Sequence, residues 1–78
     1  MYFGKALEAL KEGKKIKLAS WSGFWQLETE RIMMHCKDGR IIDLQDTEDI
    51  IYTLSNIASD EWEILDDNYR IIAESEDK

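Results

Sequence analysis

Phe3-Gly4-Lys5-Ala6-Leu7-Glu8-Ala9-Leu10-Lys11-Glu12-Gly13-Lys14-Lys15-Ile16-Lys17-Leu18 changes its hydrophobic period partway along, and that change decides the fold class. Phe3, Ala6, Leu7 and Leu10 recur at helical spacing, with Lys5, Glu8, Lys11 and Glu12 on the other side. Gly13 follows the last of them, where a residue free to take positive φ can end a helix. Beyond it the period is two: Ile16 and Leu18 point one way, Lys15 and Lys17 the other. An amphipathic helix therefore runs straight into a strand with one wet face.

Working outward, Ser20-Trp21-Ser22-Gly23 interrupts with turn-forming residues, and Phe24 to Thr29 resumes an extended reading, so a hairpin is predicted with Trp21 at its bend. Ile32 to Cys36 and Arg40 to Leu44 flank Lys37-Asp38-Gly39, a short Asp-Gly connection suited to a hairpin turn. Asp46 or Thr47 is placed to cap a short helix beginning near Glu48, with Ile50, Ile51, Leu54 and Ile57 as its buried face. Trp62-Glu63-Ile64-Leu65 alternates as a closing strand. Tyr69, Ile71, Ile72 and Ala73 then suggest a last short extended piece before an acidic tail.

The expected fold is α+β: an N-terminal helix packed on a small, mostly antiparallel sheet of about four to five strands, with a short second helix before the closing strand. One domain is expected over residues 1–66, with the extended piece and tail over 67–78.

A chain of 78 residues buries only roughly 60 to 65% of its unfolded surface when it folds alone, which leaves a marginal core. Three Trp, three Tyr and two Phe are a large aromatic load for such a core, so self-association is a reasonable expectation. The net charge of −7 opposes nucleic-acid binding, which rests on Lys and Arg at phosphates. A lone Cys36 excludes an intrachain disulfide, and its neighbour His35 points to the other face of a strand, so no metal set is expected. No apolar run approaches the ~20 residues of a membrane span, and the first residues lack a signal-peptide core. The chain reads as cytoplasmic.

Catalysis needs a nucleophile, a base and an orienting partner, and a single His35 on a hairpin strand does not supply them. Cys36 reads as a small buried apolar residue. The four glycines, Gly4, Gly13, Gly23 and Gly39, are isolated and make no phosphate-cradling loop. Glu28, Glu30, Asp43, Asp46, Glu48 and Asp49 read as solvated faces and caps. No enzyme activity and no cofactor are expected.

Trp21 is the residue with a sharper alternative. On a turn it presents a flat apolar plate beside free backbone donors, a way of holding a planar base; it serves equally as an anchor of a small core or of an oligomer interface. Trp62 reads as core packing. Lys14, Lys15 and Lys17 form a basic cluster, either protecting a sheet edge or offering counter-charge to a phosphate.

Met1 through Ile16 also resembles the opening of the Thoeris anti-defence 2-like family, formerly a domain of unknown function, in which a Phe-Gly-x-Ala-Leu helix ends in Lys-x-Gly. A strand there leads to a Gly-Trp-Asn-Gly turn, and Trp21-Ser22-Gly23 stands in its place. Thr53-Leu54-Ser55-Asn56 and Asp60-Glu61-Trp62-Glu63-Ile64 occupy the positions of the family's Ser-Gln-Thr-Asp-like stretch and Asp-Asp-Trp-Glu-Ile-like strand. The likeness covers residues 1 to about 65. It departs at Leu18 and Ala19, where the family is often basic, at Ser22, at Ser55-Asn56, and in lacking a long central insertion, which implies a shallower pocket.

The resemblance implies a phage-made homo-oligomer, a dimer or tetramer, that sequesters a cyclic nucleotide immune signal in the bacterial cytoplasm without cleaving it. The signal is a cyclic ADP-ribose isomer made by TIR-domain enzymes, or for some members a cyclic oligonucleotide. Phe3, Trp21, Ser22, Gly23, Trp25, Thr53, Asn56 and Asp60 are then the expected ligand-binding residues, with Lys15 and Lys17 facing phosphate. The rival reading is an acidic inhibitor that docks on a host protein such as a nuclease through Asp43, Asp46, Glu48 and Asp49.

Overall fold

Lys15–Leu18 (β1) lies at the centre of the sheet in the computed structural model, which describes residues 1–73. It pairs antiparallel with Phe24–Glu28 (β2) on one side and Trp62–Leu65 (β5) on the other. Arg31–His35 (β3) and Ile41–Asp43 (β4) continue beyond β2, and Ile71–Ala73 (β6) continues beyond β5. Among the described residues the sheet has six strands in the order β4-β3-β2-β1-β5-β6, every neighbouring pair antiparallel. The short extended piece expected after residue 66 is thus the strand that takes the count beyond five. The acidic tail lies outside the described residues.

Phe3–Lys11 (α1) buries Ala6, Ala9 and Leu10 against this sheet, as its periodicity requires. Its end is a Schellman arrangement: Gly13 N–H donates to the Leu10 carbonyl at 3.0 Å and Lys14 N–H to the Ala9 carbonyl at 3.1 Å. That geometry needs the positive φ of 92° that Gly13 adopts without strain.

Register fixes the two faces. Ile16 opposes Trp25 and Ile64, Leu18 opposes Trp62, and Trp25 opposes Met34, so these share the face under α1. Trp62 is fully buried there, with the rings of Trp25, Phe3 and Trp21 centred 5.1, 5.2 and 5.4 Å away. Lys15, Lys17, Phe24, Glu28, His35, Asp43 and Glu63 share the opposite face.

That second face corrects two expectations. β1 is central, so Lys15 and Lys17 guard no edge; Lys15 is buried along its stem, its ammonium 5.6 and 5.0 Å from the ring centroids of Phe24 and Tyr69. Lys17 pairs with Glu63 at 3.3 Å. Asp43 is no solvated acid either, because it is buried, paired with Arg31 at 3.1 Å, and accepts from Gln45 N–H.

The second helix, Ile50–Ile57 (α2), differs most from its sequence pattern. It starts later than Glu48 and is capped by Asp49, whose carboxylate accepts from Tyr52 N–H at 2.9 Å; Asp46 ends a single 3-10 turn, Leu44–Asp46, and Thr47 follows it. Ile57 packs against the core, but Ile50, Ile51 and Leu54 are exposed, and Thr53 and Asn56 are the buried residues. On that inner side the buried Trp62 indole N–H donates to the Asn56 backbone carbonyl at 3.0 Å, which ties the helix to the core.

Candidate functional site

Between the Trp21 turn and α2 the structure leaves a cleft of about 380 Å³. Its depth follows from the chain path. The Trp21 N–H returns to the Leu18 carbonyl at 2.9 Å, folding the turn back over the end of β1. Gly23 then runs so close to β3 that a Cβ there would meet the His35 carbonyl and the Cys36 Cα. Ser20 to Gly23 form one wall, Trp25 and Met34 contribute from the sheet, Cys36 and Lys37 form a lip, and Thr47, Tyr52, Thr53 and Asn56 stand opposite.

Six of the expected ligand-binding residues meet in this cleft: Trp21, Ser22, Gly23, Trp25, Thr53 and Asn56. Trp21 is half-buried rather than a free plate, its ring tilted 44° to Trp25 at 5.6 Å and edge-on to Trp62. Phe3 does not line the cleft. It packs behind, 6.3 Å from Trp25 and 5.2 Å from Trp62, where it supports the wall. Asp60 borders a separate surface hollow beside Met1, Tyr2 and Lys5.

Lys15 and Lys17 are on the sheet face opposite α1, and Lys17 also donates to the Leu18 and Ala19 carbonyls at 3.0 and 3.3 Å. The cation at the cleft is Lys37. The sequence carried a signal for it. Once Phe24 pairs with His35, the residues on either side of that pair, Gly23 before it and Cys36-Lys37 after it, must lie together. Thr47 and Tyr52 carried no such signal, since their position depends on the way α2 crosses the domain.

The charge distribution is uneven. The chain has seventeen acidic residues, yet no Asp or Glu lines the cleft among the described residues. Ser20, Ser22, Thr47, Tyr52 and Asn56 bring polar side chains to a lining that also holds indole and thioether residues, while the Thr53 hydroxyl donates back to the Asp49 carbonyl at 3.1 Å. This is a mixed lining of the kind that orients a small ligand.

Nucleophile chemistry finds little support in the geometry. Cys36 Sγ lies 3.9 Å from the Met34 carbonyl, while the His35 ring stacks on Phe24 at 4.4 Å and holds Glu28 at 2.6 Å through Nε2. The two neighbours in sequence therefore face different partners. Among the described residues no group of three or more His, Cys, Asp or Glu stands together as a metal set, and no helix is long and apolar enough to cross a membrane. At the hairpin beside the lip, the Arg40 backbone N–H donates to Asp38 and holds its carboxyl below the usual range.

The fold and site define a two-layer α+β domain with an aromatic, hydroxyl-lined cleft. No family model matches this chain, and no curated protein or solved structure matches it either.

Proposed function

We propose that the cleft binds a small cyclic nucleotide and that the protein sequesters this signal without cleaving it. The observation that carries the reading is the acid-free cleft in a chain of net charge −7, with Trp21, Thr53, Asn56 and Lys37 gathered around it. A base needs an apolar plate and hydrogen-bonding edges; a phosphate needs the absence of carboxylates and a nearby cation. The volume suits a nucleotide-sized ligand and no polymer. The resemblance to the Thoeris anti-defence 2-like family narrows the ligand to a cyclic ADP-ribose isomer or a cyclic oligonucleotide. It also makes this a phage- or prophage-encoded protein acting in the bacterial cytoplasm.

Sequestration works by mass action, so tight binding and abundance suffice and no turnover is required. The roles follow from position. Trp21 stacks on the base, Ser22, Thr53 and Asn56 read polar edges, and Lys37 takes the phosphate role first expected of Lys15 and Lys17.

The rival reading, an acidic inhibitor on a host protein, loses free charge in the set it needs. Asp43 is buried against Arg31, and Asp49 is engaged as a helix cap.

Incubating the protein with TIR-generated signal and measuring free signal after removing protein tests the proposal. The expected result is depletion of intact signal, recovered unchanged on heat denaturation. Trp21→Ala should weaken binding about tenfold or more, the loss of one stacking contact. Undiminished free signal, a cleaved product, or parent-like binding by Trp21→Ala would each overturn it.

A further inference from the structure

Helix α2 turns its apolar side outward. Ile50, Ile51 and Leu54 are 55%, 69% and 53% exposed. The other side is tied to the domain, where the Asn56 carbonyl accepts from the Trp62 indole and Thr53, Asn56 and Ile57 pack inward. A short helix with this spacing ordinarily faces a core.

Charge selects the occupant. Ile50 to Ser59 are ten consecutive residues without Asp, Glu, Lys or Arg in a chain that is 35% charged. Carboxylates stop at Asp49 and resume at Asp60 and Glu61. A face made for a basic partner would mix acids among its apolar side chains. Two copies that each carry −7 can meet closely only where charge is absent, and α2 offers that surface.

The extent is adequate. Three aliphatic side chains at half exposure or more present roughly 300 Å² of apolar surface. That is a fitting apolar centre for an interface of about 800 Å² per partner, with the exposed and uncharged Ser55 and Ala58 beside it.

We propose that α2 is the self-association face, two copies pairing these helices antiparallel about a twofold axis with Leu54 against Leu54 of the partner subunit. This pairing sets the N-terminal end of each helix beside the C-terminal end of the other, so the helix dipoles attract. Tyr52 lies on the other side of α2 from Leu54 and belongs to the cleft lining, so the paired face and the cleft are separate surfaces. The inference stands without the nucleotide reading, and its test uses no ligand.

Sedimentation of the parent, Ile51→Glu and Leu54→Glu over a range of concentrations and salt, with far-UV circular dichroism as the fold control, decides it. The parent is expected as a dimer or a multiple of one, strengthened by salt because carboxylates flank the face. Each variant is expected at half the parent's stoichiometry with its dichroism unchanged. A spin label on Ser55→Cys in a Cys36→Ser background gives a check that leaves the apolar strip intact. A short interspin distance is expected, abolished by dilution with unlabelled protein. A monomeric parent, parent-like assembly of the Glu variants, an assembly weakened by salt, or no short interspin distance would each overturn the proposal.

Discussion

Gly23→Ala tests how the cleft is built. Gly23 does not take positive φ, so the demand on it is space. An added Cβ would fall on the His35 carbonyl oxygen, well inside the 3.0 Å that Cβ atoms keep, and 3.2 Å from the carbonyl carbon and 3.3 Å from Cys36 Cα. All three are backbone atoms of the neighbouring strand, which cannot swing aside as a flexible side chain can. The carbonyl belongs to a residue paired with Phe24, so moving it opens the end of the β2–β3 ladder. Overpacking of this kind costs about 1–3 kcal/mol, and a rigid backbone neighbour puts the expectation at about 2–3. A domain of this length holds roughly 4–12 kcal/mol in all, so the loss is a large fraction of it. Urea denaturation followed by tryptophan fluorescence should show the midpoint fall with little change in slope, and heating should show a drop of roughly 10–20 °C. A change within about 0.5 kcal/mol, the range of a neutral surface substitution, would refute the close approach of the Trp21 turn to β3.

Three further outcomes follow from other parts of the sheet. Thr29 and Glu30 close the β2–β3 hairpin at φ 52° and 66°, so Thr29→Asn with Glu30→Gly should raise stability by about 1 kcal/mol in thermal melts; a loss would contradict the turn geometry. Lys17→Met alone strands the buried Glu63 carboxylate and should cost about 3–5 kcal/mol, whereas Lys17→Met with Glu63→Leu should recover most of it; equal losses in a double-mutant cycle would refute a coupled pair. Asp38 and Asp66 accept from the Arg40 and Arg70 backbone N–H groups, which hold both carboxyls below their ordinary value of 3.8. A depressed folded value stabilises fully above 3.8 and is lost as pH falls through it. The Arg40 and Arg70 amide shifts should therefore titrate with midpoints under 3.8, and midpoints above it would contradict the turns.

Local chemistry explains which parts of this fold were legible in sequence. Phe3 to Leu18 could be read directly, since a period of 3.6 stopped by Gly13 and followed by a period of two leaves one assignment. The Asp38-Gly39 hairpin was equally plain. The β2–β3 turn was not, because Thr29-Glu30 lacks the Asn-Gly chemistry that marks a two-residue hairpin. Lys15 and Lys17 were misread for a topological reason. Alternation places two lysines on one face of β1 but cannot say that β1 is central, or that the cleft opens on the other face.

The Ile50, Ile51, Leu54 and Ile57 pattern carries a deeper lesson about periodicity. A hydrophobic stripe records which side of a helix is kept from water, without recording whose atoms exclude the water. Within this chain, the side of α2 turned inward carries a hydrogen bond to the core beside the packed Ile57. The Trp62 indole is fully buried, and leaving its N–H unmet would cost about 1–3 kcal/mol, comparable to covering one aliphatic side chain. Asn56 supplies the acceptor, Thr53 follows it inward, and the aliphatic side is left for another surface. Ile50, Ile51 and Leu54 of the stripe are then no part of the monomer's core, and under the pairing proposed above they form the contact between copies. A chain of this size, whose core already centres on three indoles packed tilted and edge-on and on Phe3, has little room to cover a second apolar layer by itself.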